Sequence, residues 1–260
     1  TLSVKIDEES GQMILSGMGE LHLEVIIDRL KREYNVECNH GNPMVSYREA
    51  IKQSVTHREI HKKQTGGKGQ FADIEFEISP ADESVKGLQF INEVRGGNIP
   101  KEFIPAIEKG FAKAMTTGTL MGYPFLNLKV RLIDGSYHTI DSDSNAFEIC
   151  AYKAFKESTK KANPTILEPI MKLEVIVAPD YTGNVTGDLN RRRAVIEDIS
   201  SRSNTQVVEA KVPLSEMFGY ITSLRTLTSG RGTASMVFSH YAEPPFAIIE
   251  EIKNKWKFRF

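Results

Sequence analysis

Leu2, Val4 and Ile6 alternate with polar residues, and after the segment DEESGQ the apolar positions resume at Met13 and Leu15. A period of two predicts a β-hairpin over 1–16, with Gly11 supplying the positive φ of its turn. In MGELHLEVIIDRLKREY the spacing changes. Leu23, Ile26, Ile27, Leu30 and Tyr34 share one helical face, while Glu24, Asp28 and Arg32 fall away from it. A strand is predicted next through NVECNH, 35–40. The order β-β-α-β reads as an open α+β unit without its first strand and helix. Together with an opening Thr1 it predicts an excised fragment.

From Pro43, PMVSYREAIKQSVTHRE reads as one long strand-like run. It ends in the loop HKKQTGGKGQF and resumes in QFADIEFEISP, which predicts two strands joined by that loop. A strand follows in LQFINEV, then RGGNIP. A helix is predicted over 103–117, with Ile104, Ile107, Phe111 and Ala114 on one face and Pro105 in the first turn. LNLKVRLIDG is a further strand, SYHTIDSDSN a polar loop, and 145–161 a helix in which Asn145 and Glu148 fit a capping box. KKANPTILEP reads as a linker. Beyond it the pattern predicts strand 169–178, helix 181–192, strands 194–201 and 205–212, helix 215–228 and strand 232–240, a β-α-β-β-α-β order of ferredoxin-like type. Gly230 fits a helix stop, and 246–258 form a short closing helix with Phe246, Ile249 and Trp256 roughly on one side. The expected fold class is therefore α+β and multi-domain. The segments near Gly41–Pro43 and Asn163–Glu168 are the expected hinges.

Composition narrows the function. The 260 residues carry a formal net charge of −1, so there is no global basic field and any nucleic-acid contact must come from local patches. Cys38 and Cys150 lie far apart without a CxxC, which gives no support to a zinc site or a disulfide framework and predicts reduced thiols in the cytoplasm. No apolar run is long enough to span a membrane, and nothing resembles a signal peptide.

The loop at 61–71 holds three lysines, three glycines and a histidine, with no acid. A phosphate-binding P-loop fails here, because Gly67-Lys68 is followed by Gly69, and the flanks are two strands rather than a strand and a helix. What remains is either a solvated hairpin loop or a cationic tip whose glycines let backbone amides approach RNA. In GSYHTIDSDS, His138 lacks the partners of a catalytic base. It is either solvated or an imidazole offered to a nucleotide. In GNVTGDLNRRR, Gly183 and Gly187 each cost a helix about 1 kcal/mol against alanine. That predicts a bare face for close approach to a sheet or to RNA, followed by Arg191, Arg192 and Arg193 at the helix C-terminus. His22 and Glu24 lack a second histidine at metal-binding spacing, and the helix that carries them reads as core packing plus solvated charge.

Taken together, SGMGELHLEVIIDRLKREYNVE, TGGKGQF, FINEVRGGNIPKEFIPAIEKG, GSYHTIDSDSNAF, EPIMKLEV, GDLNRRR and VPLSEMFGYITSLRTLTSGR resemble, in order, the C-terminal part of bacterial translation elongation factor G. The resemblance implies a partial, ferredoxin-like third domain at 1–42. It implies a fourth domain at 43–166, with the fold of the second domain of ribosomal protein S5, and a ferredoxin-like fifth domain at 167–243. The closing helix, 245–258, is expected to pack back on the fourth domain. The parent protein would be a ribosome-dependent GTPase that moves tRNA and mRNA. GTP and Mg²⁺ would be held by a domain outside this chain, and this segment would have no catalytic residue, metal or cofactor of its own. The fourth-domain tip would contact tRNA, mRNA and rRNA through Lys62, Lys63, Gly66, Gly67, Lys68, Gly69 and Gln70 of one loop and Ser136, Tyr137 and His138 of the other. The implied partners are the ribosome, tRNA and mRNA, for a cytoplasmic protein expected to be monomeric and free of membranes. The tail AEPPFAIIEEIKNKWKFRF departs from the small, polar helix usual in the family. That leaves open a paralogue in ribosome recycling or in tetracycline-resistance ribosome protection. The short TGGKGQF and the intact SYHTIDS favour the elongation factor. A small-molecule kinase, which shares the S5-like fold, would need a serine- and glycine-rich phosphate loop opening a helix, and none is visible.

Overall fold

The computed structural model describes residues 2–6, 11–17, 20–38, 40–41, 45–64, 69–82 and 85–257. Its elements in chain order are β1 (Ser3–Ile6), β2 (Met13–Ser16), α1 (Glu20–Tyr34), β3 (Arg48–Ile51), β4 (Val55–Lys63), β5 (Gln70–Ser79), β6 (Gly87–Asn92), α2 (Ile104–Met115) and β7 (Asn127–Ser136). They continue with α3 (Ser144–Lys161), β8 (Pro164–Val177), α4 (Thr182–Arg191), β9 (Val195–Arg202), β10 (Thr205–Pro213), α5 (Tyr220–Leu227), β11 (Thr233–Ala242) and α6 (Phe246–Lys257). The chain divides into two compact units, 1–46 with 168–242 and 47–167 with 243–260. No helix among the described residues is long and apolar enough to cross a membrane.

In the first unit β1 and β2 pair antiparallel, and Gly11 has φ +66°. The helix α1 ends where Asn35 takes φ +53° and the Val36 N–H bonds back to the Leu30 carbonyl at 3.1 Å. The strand expected at 35–40 is not there among the described residues: the left-handed turn ends the helix, and no ladder receives the segment. Residues 168–242 give an antiparallel sheet in the order β11-β8-β10-β9, with β-α-β-β-α-β connectivity. Leu173, Val175 and Val177 of β8 and Val208, Ala210 and Val212 of β10 alternate onto one face, where Val185 and Leu189 of α4 and Tyr220 and Leu224 of α5 cover them. The last helix is shorter than expected. Residues 214–216 form a 3₁₀ turn, and α5 starts only after Gly219 at φ +73°. Gly230, at φ +78°, closes it by bonding to the Arg225 carbonyl at 2.8 Å.

The second unit is a four-stranded sheet in the order β4-β5-β7-β6, with β6 and β7 parallel and joined through α2. The alternation in β5 and β7 settles the layers. Ile74, Phe76, Ile78, Leu128, Val130 and Leu132 point into a core completed by Ile107 and Phe111 of α2 and Phe147, Ala151 and Phe155 of α3. The other face carries ion pairs, such as Arg131 with Glu77 and Glu93. Cys150 lies in this core with its thiol directed at the Glu59 and Ala72 carbonyls, and burial pushes its pKa up to about 12, an unreactive environment.

Three expectations are corrected here. The run from Pro43 is not one strand; Pro43 and Met44 lie outside the described residues, and the remainder splits into β3 and β4. At the break, the Lys52 and Gln53 N–H groups both turn to the Ala162 carbonyl, which takes the backbone out of the ladder. The linker KKANPTILEP is instead the end of α3 followed by the start of β8, because Pro164–Leu167 find a partner in β3. The cap of α3 is Asp143, which accepts from the Ala146 N–H at 2.7 Å, while Glu148 pairs with Lys109 and Lys113. The helix α6 packs its Ile248 and Ile252 on Met121, Ile166 and Tyr123 of this unit.

One buried carboxylate organises the loop after α2. Glu49 of β3 is fully buried and accepts the N–H groups of Thr119, Leu120, Met121 and Tyr123 at 2.6, 2.9, 2.7 and 3.1 Å. Gly118 makes room for it: at φ +52°, a Cβ there would stand 2.6 Å from Glu49 Oε1.

Candidate nucleic-acid interface

The β4–β5 hairpin places Lys62 opposite Phe71 and Lys63 opposite Gln70. Both lysines are exposed and form no ion pair with a described residue. Gly66, Gly67 and Lys68, at the apex, lie outside the described residues. The far side of the loop is held tightly. Gly69 is buried, and its N–H donates to Asp141 Oδ1 at 3.1 Å. Gln70 turns its side-chain oxygen to His61 Nε2 at 3.2 Å, while Lys153 Nζ lies 3.1 Å from Nδ1 of the same ring. An ammonium only donates, so Nδ1 accepts and the ring carries its proton on Nε2, toward Gln70. Gln70 therefore braces the base of the loop.

The second loop leaves β7 beside the first. Ser136 sits opposite Asp73, and its hydroxyl donates to Asp73 Oδ2 at 2.6 Å. Arg58 grips the same carboxylate with Nε at 2.9 Å and Nη2 at 2.7 Å. Burial works to raise the Asp73 pKa, but the bonds from Arg58 and Ser136 outweigh it and hold the group below its ordinary value. The Ser136 hydroxyl is thus committed to the sheet. Tyr137 and His138 are exposed. Asp141 is near His138 in sequence, and the fold brings it and Phe71 to the ring. His138 Nδ1 lies 3.4 Å from Asp141 Oδ2 and 3.3 Å from the Asp141 N–H, and its ring stands edge-on to Phe71. These contacts are long and serve alternative states, with the ring accepting from the amide or donating to the carboxylate; Nε2 has no hydrogen bond to a described residue. The loops are sewn together by Phe71 N–H to Asp141 O at 2.8 Å and Ser142 Oγ to Phe71 O at 2.7 Å.

A third segment, RGGNIP, lies against the same end of β7. Asn98 Nδ2 donates to Asp134 Oδ1 at 2.8 Å, and Ile99 fills the space left by Gly135. The segment's signal in the sequence is the glycine pair, since Gly96 and Gly97 both have positive φ. The arrangement has the parts of an anion-contacting end: ammonium groups on β4, and an outward imidazole and an exposed tyrosine on the loop that leaves β7, both strands being fixed by a packed core. Among the described residues no cluster of His, Cys, Asp or Glu could hold a metal ion.

Three family models match the chain in succession: Elongation Factor G, domain III, over residues 1–42, Elongation factor G, domain IV, over 43–163, and Elongation factor G C-terminus over 165–252. The chain belongs to the elongation factor G family. The elongation factor G of Amoebophilus asiaticus is 54% identical over 99% of the chain, and that of Cytophaga hutchinsonii 54% over 99%. The chain spans 36% and 37% of the length of these two relatives. A crystal structure of a protein from Thermus thermophilus superposes with a TM-score of 0.88 at 38% identity, covering 98% of this chain and 38% of that one. The domain IV match spans both loops of the interface.

Two of the three arginines of GDLNRRR, in the 168–242 region, hold the fold together. Arg193 makes a bidentate pair with Glu168 at 2.8 and 2.9 Å and a further bond to Glu216. Arg192 binds Asp188 and the Glu216 carbonyl and lies over the Tyr220 ring. The face left bare by Gly183 and Gly187 meets no sheet among the described residues, where a Cβ at either would find nothing within 4 Å.

Proposed function

We propose that this chain serves an elongation factor G as the part that engages the decoding side of the ribosome. In this reading the end of the 47–167 unit carrying Lys62, Lys63 and His138 enters the A site and holds the tRNA–mRNA complex as it moves. Nucleotide hydrolysis takes place in a domain outside this chain, which also holds GTP and Mg²⁺. The factor acts as a monomer in the cytoplasm, and its partners are rRNA, ribosomal proteins, tRNA and mRNA. The observation that carries the reading is the combination of exposed lysines, in no ion pair with a described residue, and loops pinned to the sheet of a packed core. A probe must present charge without folding away under load, and no bond-making step is asked of these residues.

Phosphate contacts release counterions, so binding should weaken with salt. The test is ribosome co-sedimentation over a salt series with an elongation factor G carrying this chain, beside its Lys62→Glu/Lys63→Glu/Lys68→Glu variant. Losing three phosphate contacts should reduce the log–log salt slope by about 2. A folded variant that binds with an unchanged slope removes the tip from the interface.

A further inference from the structure

We infer that Asp141 is a positioning residue that locks the two loops of the interface into one arrangement, and that this arrangement sets the rate of tRNA–mRNA movement. The inference rests on the reading of the tip given above. It starts from a convergence on one side chain. Asp141 Oδ1 accepts the Gly69 N–H at 3.1 Å, its Oδ2 lies 3.4 Å from His138 Nδ1, and its carbonyl accepts the Phe71 N–H at 2.8 Å. One residue thereby joins the exit of the glycine loop, the first residues of β5 and the imidazole.

Space at the joint is limited. A Cβ on Gly69 would stand 3.0 Å from Asp141 Cγ and Oδ1, closer than an ordinary contact, so any larger residue there would push the carboxylate away. The loop preceding this joint holds Gly66 and Gly67, and glycine loses more conformational freedom on ordering than any other residue. Fixing the loop's exit at Gly69 removes part of the ordering cost that binding would otherwise carry, which is preorganisation. The same carboxylate lies 3.4 Å from the imidazole, so the Gly69 end of the first loop and the histidine of the second share one anchor. Small misplacements of positioning groups lower rates steeply.

The experiment uses an elongation factor G carrying this chain, with Asp141→Ala, Asp141→Asn and Lys62→Glu/Lys63→Glu variants. Two quantities are read: amide hydrogen exchange at Gly69, with Ile74 and Val130 as sheet controls, and the single-turnover rate of translocation. In Asp141→Ala, exchange at Gly69 should accelerate at least about tenfold with the controls unchanged, and translocation should slow by about tenfold. Asparagine keeps an acceptor for the Gly69 N–H, so Asp141→Asn should recover protection and most of the rate. Unchanged protection of Gly69 in Asp141→Ala overturns the inference. So does lost protection with a wild-type translocation rate; in that case an impaired Lys62→Glu/Lys63→Glu variant leaves the tip reading standing, and an unimpaired one removes both. If Asp141→Ala loses protection in the sheet as well, Asp141→Asn decides. Its recovery of Gly69 protection and rate supports the strut, and a slow Asp141→Asn with a protected Gly69 overturns it.

Discussion

Replacing Glu49 tests whether a single buried carboxylate holds the loop after α2. The wild-type carboxylate accepts four N–H groups, one of them, from Met121, fully buried. Each bond from a neutral donor to a charged acceptor contributes roughly 1.5–3 kcal/mol, so the sum at face value is about 6–12 kcal/mol. That is an upper figure, because three of the donors are only partly buried and water reaches them once the loop relaxes. For Glu49→Ala, the orphaned Met121 amide, the weakened neighbours and the lost packing should together cost about 4–5 kcal/mol. Glu49→Gln is the sharper variant. Its amide oxygen keeps two of the donors, but its NH₂ faces the other two, donor against donor, and the loss should be about 3 kcal/mol. Either figure is a large share of the roughly 5–15 kcal/mol that holds a domain folded. The assay is native-state hydrogen exchange of the slowest amides in β5 and β7, which reports the opening free energy of this unit alone. A Glu49→Gln loss below about 1 kcal/mol would refute the reasoning, since it would mean that the loop finds other acceptors at little cost.

Two further outcomes follow from the same geometry. In Gly135→Ala the new methyl would overlap the Asp73 carbonyl oxygen and stand 2.6 Å from Ile99 Cδ1. The strands must part, which should cost about 1–3 kcal/mol, and an unchanged thermal midpoint would show that they separate freely. Asp73 has a folded pKa below its unfolded value of about 3.9. Its stabilisation is therefore present above about pH 3.9 and disappears as pH falls through that value and then the folded pKa. Asp73→Asn should be less stable by about 1–2 kcal/mol at pH 6, a figure reduced because Arg58 is half-exposed, and the gap should close below about pH 4. A urea-midpoint difference that stays constant from pH 6 to about 2.5 would rule out the carboxylate as its source.

Sequence alone determined the features whose physics is local. Period-two alternation marked β5 and β7, the helical stripe marked α2 and α3, and positive-φ glycines marked Gly11 and Gly230. The first two patterns record burial on one face, whatever the partner, and the glycines record a left-handed turn that side chains disfavour. The order of the motifs likewise identified the family. Tertiary structure decided which strand-like segments find a ladder. NVECNH has the composition of a strand but turns away at Asn35, while the supposed linker KKANPTILEP begins β8 because β3 lies alongside it. No local signal separates Glu49, which is fully buried, from the other glutamates of the chain, because the four amides it binds come from a loop distant in sequence. At the interface, charge and exposure of Lys62, Lys63 and His138 were legible in the residues themselves. The commitments of Ser136 to Asp73, Gln70 to His61 and Asp141 to Gly69 were not, since each joins residues that only the pairing of β4, β5 and β7 brings within hydrogen-bond distance.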